Sequence, residues 1–147
     1  MAIDTETGRS LTLTRRLAAA PERVWRAWTD PQTMMRWFAP SDDFDIPTVE
    51  ADVRVGGRYR IVMKSADGAL HDVRGEYREI APLRRLVFTW AWQSEPQDES
   101  LVTITLRRDG AGTELTLQHD RLPSTASRNK HEHGWLGCLD RLQRVVA

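Results

Sequence analysis

From about residue 44 to residue 119 the chain reads as one strand after another, each with its apolar residues on one face. Tyr59, Ile61 and Met63 alternate with Arg58, Arg60 and Lys64. His71, Val73, Gly75 and Tyr77 share a face in the next strand, and Leu86, Phe88, Trp90 and Trp92 in the one after it. Val102, Ile104 and Leu106 follow, then Leu115, Leu117 and His119. Asp67-Gly68 and Asp109-Gly110 are hairpin-turn dipeptides. One-sided antiparallel strands need a cover for their apolar face. That need limits the folds open to the chain more than any other feature.

The cover is supplied at the end of the sequence. His131, Trp135, Leu139, Leu142 and Val146 recur at i, i+4, i+8, i+11 and i+15, one face of a long helix from about Ser124 to Val146. Ser124 or Thr125 can cap it. Ahead of the strands, Ser10–Leu17 alternates as a further strand with Leu11, Leu13, Arg15 and Leu17 on one face. A helix then carries Val24, Trp25 and Trp28, with Pro21 in its first turn. Asp30-Pro31 breaks it and starts a second short helix holding Met34, Met35, Trp37 and Phe38, ended by Pro40. Pro47–Val55 is the next strand, with a bend at Gly56-Gly57.

The expected fold is therefore α+β. A curved antiparallel sheet of about seven strands wraps a long C-terminal helix, with two short helices after the first strand. No linker divides the chain, so residues 1–147 are expected to form a single domain, with residues 1–9 flexible. A sheet gripping one helix leaves a space between them. Trp37, Phe38, Met63, Trp90, Trp92 and Trp135 are the candidate apolar walls of that space. His71, His119 and His131 fall on the same inward faces and are its candidate polar contacts. Arg15 either enters the space or reaches its rim.

Four stretches, "APERVWRAWTDPQTMMRWFAP", "DVRVGGRYRIVM…DG", "GEYREIAPLRRLVFTW" and "HGWLGCLDRLQ", occur in an order and spacing that resemble the family of the heat-shock-protein ATPase activator. The resemblance runs from about Thr12 to Val146. It implies the helix-grip fold of the START-like superfamily, which also holds birch-pollen-allergen-like proteins and polyketide cyclases. Members share a hydrophobic cavity but not one activity. The resemblance implies binding of a small hydrophobic or aromatic molecule. Two alternatives come with it: a polyketide cyclase or aromatase using a cavity histidine, and a co-chaperone-like interaction module.

Composition narrows the partners. Lys plus Arg equals Asp plus Glu at 21 each, which argues against a nucleic-acid partner. No run nears the roughly 18–20 apolar residues that span a bilayer, so no membrane insertion is expected. The opening residues MAIDTETGRS lack the pattern of a secretory leader. The single cysteine, Cys138, cannot form an internal disulfide, and a bacterial cytoplasm is expected. An exposed strand edge would allow two copies to pair as a homodimer.

The stretch "HEHGWLGCLDRL" invites a metal or thiol reading. His131 and His133 project roughly 200° apart on a helix, and Cys138 lies roughly 10 Å along the axis from His131. Helical metal pairs need i, i+3 or i+4 spacing. No metal, no cofactor and no catalytic residue is assigned. Cys138 is read as a buried thiol. Gly134 and Gly137 are read as letting the helix approach its neighbours closely.

Overall fold

A computed structural model of the protein describes residues 7–147. Strand β1 (Leu11–Leu17) leads to helices α1 (Pro21–Thr29) and α2 (Pro31–Met34). Six strands follow: β2 (Asp45–Ala51), β3 (Arg58–Lys64), β4 (Leu70–Ala81), β5 (Arg85–Trp92), β6 (Ser100–Asp109) and β7 (Gly112–Asp120). Helix α3 (Thr125–Val146) ends the chain. Every pairing is antiparallel, in the order β1-β7-β6-β5-β4-β3-β2, so the sheet is open with β1 and β2 at its edges. This is the α+β architecture expected from the strand pattern and the helix-grip fold that the resemblance implies. Thr7–Arg9 form a single 3-10 turn. The flexibility expected of residues 1–6 falls outside the described residues. No helix among the described residues is long and apolar enough to cross a membrane.

The alternation of each strand sets which side chains face α3. Ile61 lies opposite Val73 and Met63 opposite His71, so β3 and β4 stay in step along the inner face. The β4–β5 register shifts between Tyr77 and Glu79, a bulge of the kind that bends a strand and increases its twist. Gly75 is required by a close approach: a Cβ there would fall 1.9 Å from the Thr89 carbonyl oxygen. Gly68 and Gly110 take positive φ in the two hairpin turns, as their dipeptides imply.

Two boundaries differ from the sequence reading. Helix α2 stops at Met34, so Trp37 and Phe38 lie in the following turns rather than on a helix. There the chain tightens to i→i+3 bonds, Arg36 N–H to Thr33 and Trp37 N–H to Met34, and Pro40 forbids a further helical turn. Strand β2 ends at Ala51 rather than Val55. Asp52–Gly57 turns back on itself, with Gly57 N–H donating to the Arg54 carbonyl and Gly56 at φ +85°.

Helix α3 is capped at its start by the Ser124 hydroxyl, which accepts from Ser127 N–H at 3.0 Å. Its two halves differ. Leu139, Leu142 and Val146 are fully buried in one core with Leu17, Ile104, Leu115 and Leu117. The first half carries Ala126, Ser127, His131 and Gly134 on its inner side. These residues are too small or too polar to fill the same depth, and a cavity opens there.

Candidate functional site

The cavity has a volume of about 630 Å³. It lies between the inner face of the sheet, the first half of α3 and the segment from Phe38 to Phe44. Phe38, Met63, Trp90, Trp92 and Trp135 contribute to its wall. Exposed Glu95, Ser124, Lys130 and His133 stand at its mouth.

The rings of the wall form one connected cluster. Phe38 stacks on Trp90 with ring centroids 6.1 Å apart and meets Trp135 edge-on at 5.7 Å. Trp90 lies 5.0 Å from Trp135 and 5.5 Å from Trp92. Such offset and edge-to-face contacts hold aromatic rings in fixed orientation.

Polar order in this wall comes from two imidazoles. His131 Nε2 accepts the indole N–H of Trp92 at 3.0 Å and that of Trp90 at 3.3 Å. Its Nδ1 lies 2.8 Å from the Ser127 carbonyl oxygen, one turn back on α3. A carbonyl only accepts, so the proton sits on Nδ1 and the lone pair on Nε2 faces the two indoles. His119 takes the opposite tautomer. Its Nδ1 accepts the indole N–H of Trp135 at 3.0 Å, so its Nε2–H donates to the Ser100 hydroxyl at 2.7 Å. Ser100 in turn donates to the Trp90 carbonyl at 3.0 Å. The two imidazoles stand 5.0 Å apart, edge to face.

Both rings are held neutral. Burial pushes His119 well below its ordinary value of 6.5, and His131 beside it adds to the effect. Burial lowers His131 too, partly offset by its bond to the Ser127 carbonyl. Protonating either ring would turn a new N–H against an indole N–H.

Of the nine sequence candidates, the structure brings seven to the cavity wall: Phe38, Met63, His71, Trp90, Trp92, His131 and Trp135. Trp37 is not among them. It is fully buried behind Phe38 and Trp28, and its indole N–H is tied to the Ala27 carbonyl at 2.9 Å. The turn after α2 points it into the core instead of the mouth. His119 also stays off the wall, enclosed by Trp135, Trp90 and Ser100, so it touches the cavity only through them. His71 sits exposed near the mouth, 3.1 Å from the Ser65 hydroxyl and against the Phe44 ring. Arg15 lies away from the cavity and pairs with Asp140 of α3 at 2.7 Å.

Several wall residues escaped sequence reasoning. Phe44 lies in a loop without periodicity, so nothing in its neighbours marks it as inward. Gly134 was expected to bring α3 close to its neighbours, yet a Cβ there would meet nothing within 4 Å. Its missing side chain enlarges the cavity. Gly137 alone fulfils the close-approach role, against the Pro40 carbonyl. Cys138 is buried but forms part of the wall, and burial pushes its thiol up to about 12. Its spacing of i+3 from Trp135 was the available signal.

Comparison with known proteins agrees with this architecture. The crystal structure of protein CV1439 from Chromobacterium violaceum is 30% identical with a TM-score of 0.85, covering 94% of this chain and 96% of that one. The AHSA1 protein of Silicibacter pomeroyi is 27% identical with a TM-score of 0.81, over 92% and 95% of the two chains. Among curated proteins, the human activator of 90 kDa heat shock protein ATPase homolog 1 is 26% identical over 127 residues. That match covers 85% of this chain but only 33% of the human protein, so the chain spans about a third of its relative's length. The model of the family "Activator of Hsp90 ATPase homolog 1-like protein" matches residues 18–147, and the chain belongs to that family.

Proposed function

We propose that this protein binds a small, flat hydrophobic or aromatic molecule between the sheet and α3. The observation that carries this reading is the cavity of about 630 Å³ walled by Phe38, Trp90, Trp92 and Trp135. Its volume falls within the roughly 300–1,000 Å³ of small-molecule sites, and aromatic walls around a polar mouth are their usual chemistry. Met63 and Cys138 complete an apolar interior, and His71 is a polar contact near the mouth. A bacterial cytoplasm is the setting we assign, in keeping with the bacterial sources of the solved relatives.

Binding is favoured over catalysis by the state of the imidazoles. Every ring nitrogen of His119 and His131 already has a hydrogen-bond partner, and both rings are held neutral. A general acid or base needs a nitrogen within reach of the reacting proton. A co-chaperone role would rest on the human relative, and a pull-down with the bacterial chaperone tests it. Pairing of two copies would use one of the two sheet edges, β1 or β2, and on β2 Pro47 and a register shift make a poor template.

The direct test is titration with N-phenyl-1-naphthylamine, a neutral aromatic probe that brightens in apolar surroundings. Saturable binding with quenching of tryptophan emission is expected. A flat titration, together with a solved structure whose side chains fill the cavity, would overturn the reading.

A further inference from the structure

The inner wall carries three indoles and the His131 imidazole, with His119 directly behind it, an inventory that suggests many polar handles for a ligand. Their hydrogen bonds leave almost none. The N–H groups of Trp90 and Trp92 both end on His131 Nε2, and that of Trp135 ends on His119 Nδ1. The His131 N–H is taken by the Ser127 carbonyl, the His119 N–H by Ser100, and the Ser100 hydroxyl by the Trp90 carbonyl. Trp28 has the one buried indole N–H without a partner among the described residues. It lies beyond Phe38 and does not contribute to this wall. The Cys138 thiol, a weak donor, remains, as does the Ser127 hydroxyl, 3.3 Å from the protonated His131 Nδ1 in the first turns of α3. The exposed polar side chains of Glu95, Lys130 and His133 stand at the mouth.

We propose that His131 is the specificity-determining residue of the cavity. By accepting both indole N–H groups it strips the inner wall of donors and leaves ring faces. The cavity then selects molecules whose buried end is aromatic or aliphatic hydrocarbon, and rejects those that carry a carbonyl or hydroxyl oxygen there. A ligand's polar group belongs at the mouth. The physical basis is the cost of desolvating an acceptor that finds no donor, which is larger than the gain from an average hydrogen bond. This proposal rests on the binding reading above and adds the orientation and chemistry of the occupant.

The test is a matched pair, 2-ethylnaphthalene and 2-acetylnaphthalene, which have nearly the same shape and differ by one carbonyl oxygen. Each displaces bound N-phenyl-1-naphthylamine, and the affinities are corrected for water–octanol partition. The wild-type protein is expected to favour the hydrocarbon by about tenfold or more after that correction. His131→Leu frees two indole donors and should bring the ratio to parity or reverse it. His131→Gln keeps a carbonyl acceptor for the indoles and should retain the wild-type preference. A corrected wild-type ratio near one overturns the proposal, whether or not His131→Leu folds. So does an unchanged ratio in a His131→Leu protein with an intact melting transition. Failure of the naphthylamine and of both naphthalenes to bind overturns the binding reading itself, and this proposal with it.

Discussion

Trp135 of α3 donates its indole N–H to Nδ1 of His119 on β7 across 3.0 Å, both side chains being buried. That bond fixes the depth of the helix against the sheet at the point where close-fitting core gives way to cavity. On one side of it lie Leu139 and Leu142, fully buried. On the other lie Gly134 and His131, facing open volume. The same bond selects the His119 tautomer and so aligns Ser100 and the Trp90 carbonyl behind the wall. One polar contact thus couples the grip of the sheet to the shape of the site.

Replacing His119 by phenylalanine should be more harmful than its volume suggests. The ring would fit, but the Trp135 N–H would lose its acceptor and Ser100 its donor. A loss of about 1–3 kcal/mol is expected for each buried group left unpaired. Trp135→Phe in the same background removes one orphan and should recover part of the loss. Urea unfolding of the two single variants and the double variant measures this as a cycle. Simple additivity of the two changes would count against the bond.

Stability should fall on mild acidification. The folded protein holds His119 and His131 neutral, with values below the ordinary 6.5, while in the unfolded chain they titrate near it. Where the unfolded state binds more protons, stability rises with pH. Stability is therefore complete above about pH 6.5 and is lost as pH drops through that value. The limiting slope is about 1.4 kcal/mol per pH unit for each histidine. Asp42, held below its ordinary 3.8 chiefly by the hydrogen bond from Arg144, weakens the fold only at lower pH. Unfolding midpoints from pH 8 to pH 5 should show the decline, and His131→Gln should flatten it. A midpoint constant over that range would remove the two rings from the pH response.

The sequence exposed the strands and the gripping helix because their periods of 2 and 3.6 appear in residues such as Tyr59–Ile61–Met63 and His131–Trp135–Leu139. The inward faces of Trp90, Trp92 and Trp135 follow from the same periods. What periodicity cannot show is whether an inward side chain meets space or another atom. Trp37 was expected at the mouth and is core, because a turn rather than a helix carries it. His119 and His131 share the inward direction, yet one is enclosed and the other forms wall. That difference depends on Ser100, which belongs to no motif, and on Gly134, whose absent side chain leaves no trace in a pattern of apolar residues.

The two glycines of α3 should respond to alanine with opposite signs. At Gly134 a Cβ meets nothing within 4 Å, and φ is not positive, so Gly134→Ala should gain the helix-propensity difference of about 0.5–1 kcal/mol. At Gly137 a Cβ would lie 1.8 Å from the Pro40 carbonyl oxygen, backbone that must move. Gly137→Ala should therefore destabilise the protein by roughly 1–3 kcal/mol, as overpacking does. A bulky residue at position 134 carries the contrast to function. Gly134→Phe should place a ring in the cavity and weaken naphthylamine binding, with the melting transition retained. An affinity unchanged from the wild type in that variant would move the ligand elsewhere.

Cys138 offers a readout of the cavity that depends on neither fluorescence nor titrated ligand. Its thiol is the chain's only one, it is buried, and burial pushes it up to about 12 from the ordinary 9.0. Thiolate is the reactive form, so at pH 8 its modification should run at least about tenfold slower than that of an unperturbed thiol with equal access. Because Cys138 forms part of the cavity wall beside Trp135, a small reagent such as methyl methanethiosulfonate reaches it through the space a ligand would occupy. Saturating naphthylamine should slow the labelling further, by at least tenfold. Gly134→Phe should do the same without any ligand. Mass spectrometry of the intact protein over time gives the rate directly. Labelling that stays fast and indifferent to both treatments would place the thiol on a path to solvent separate from the cavity.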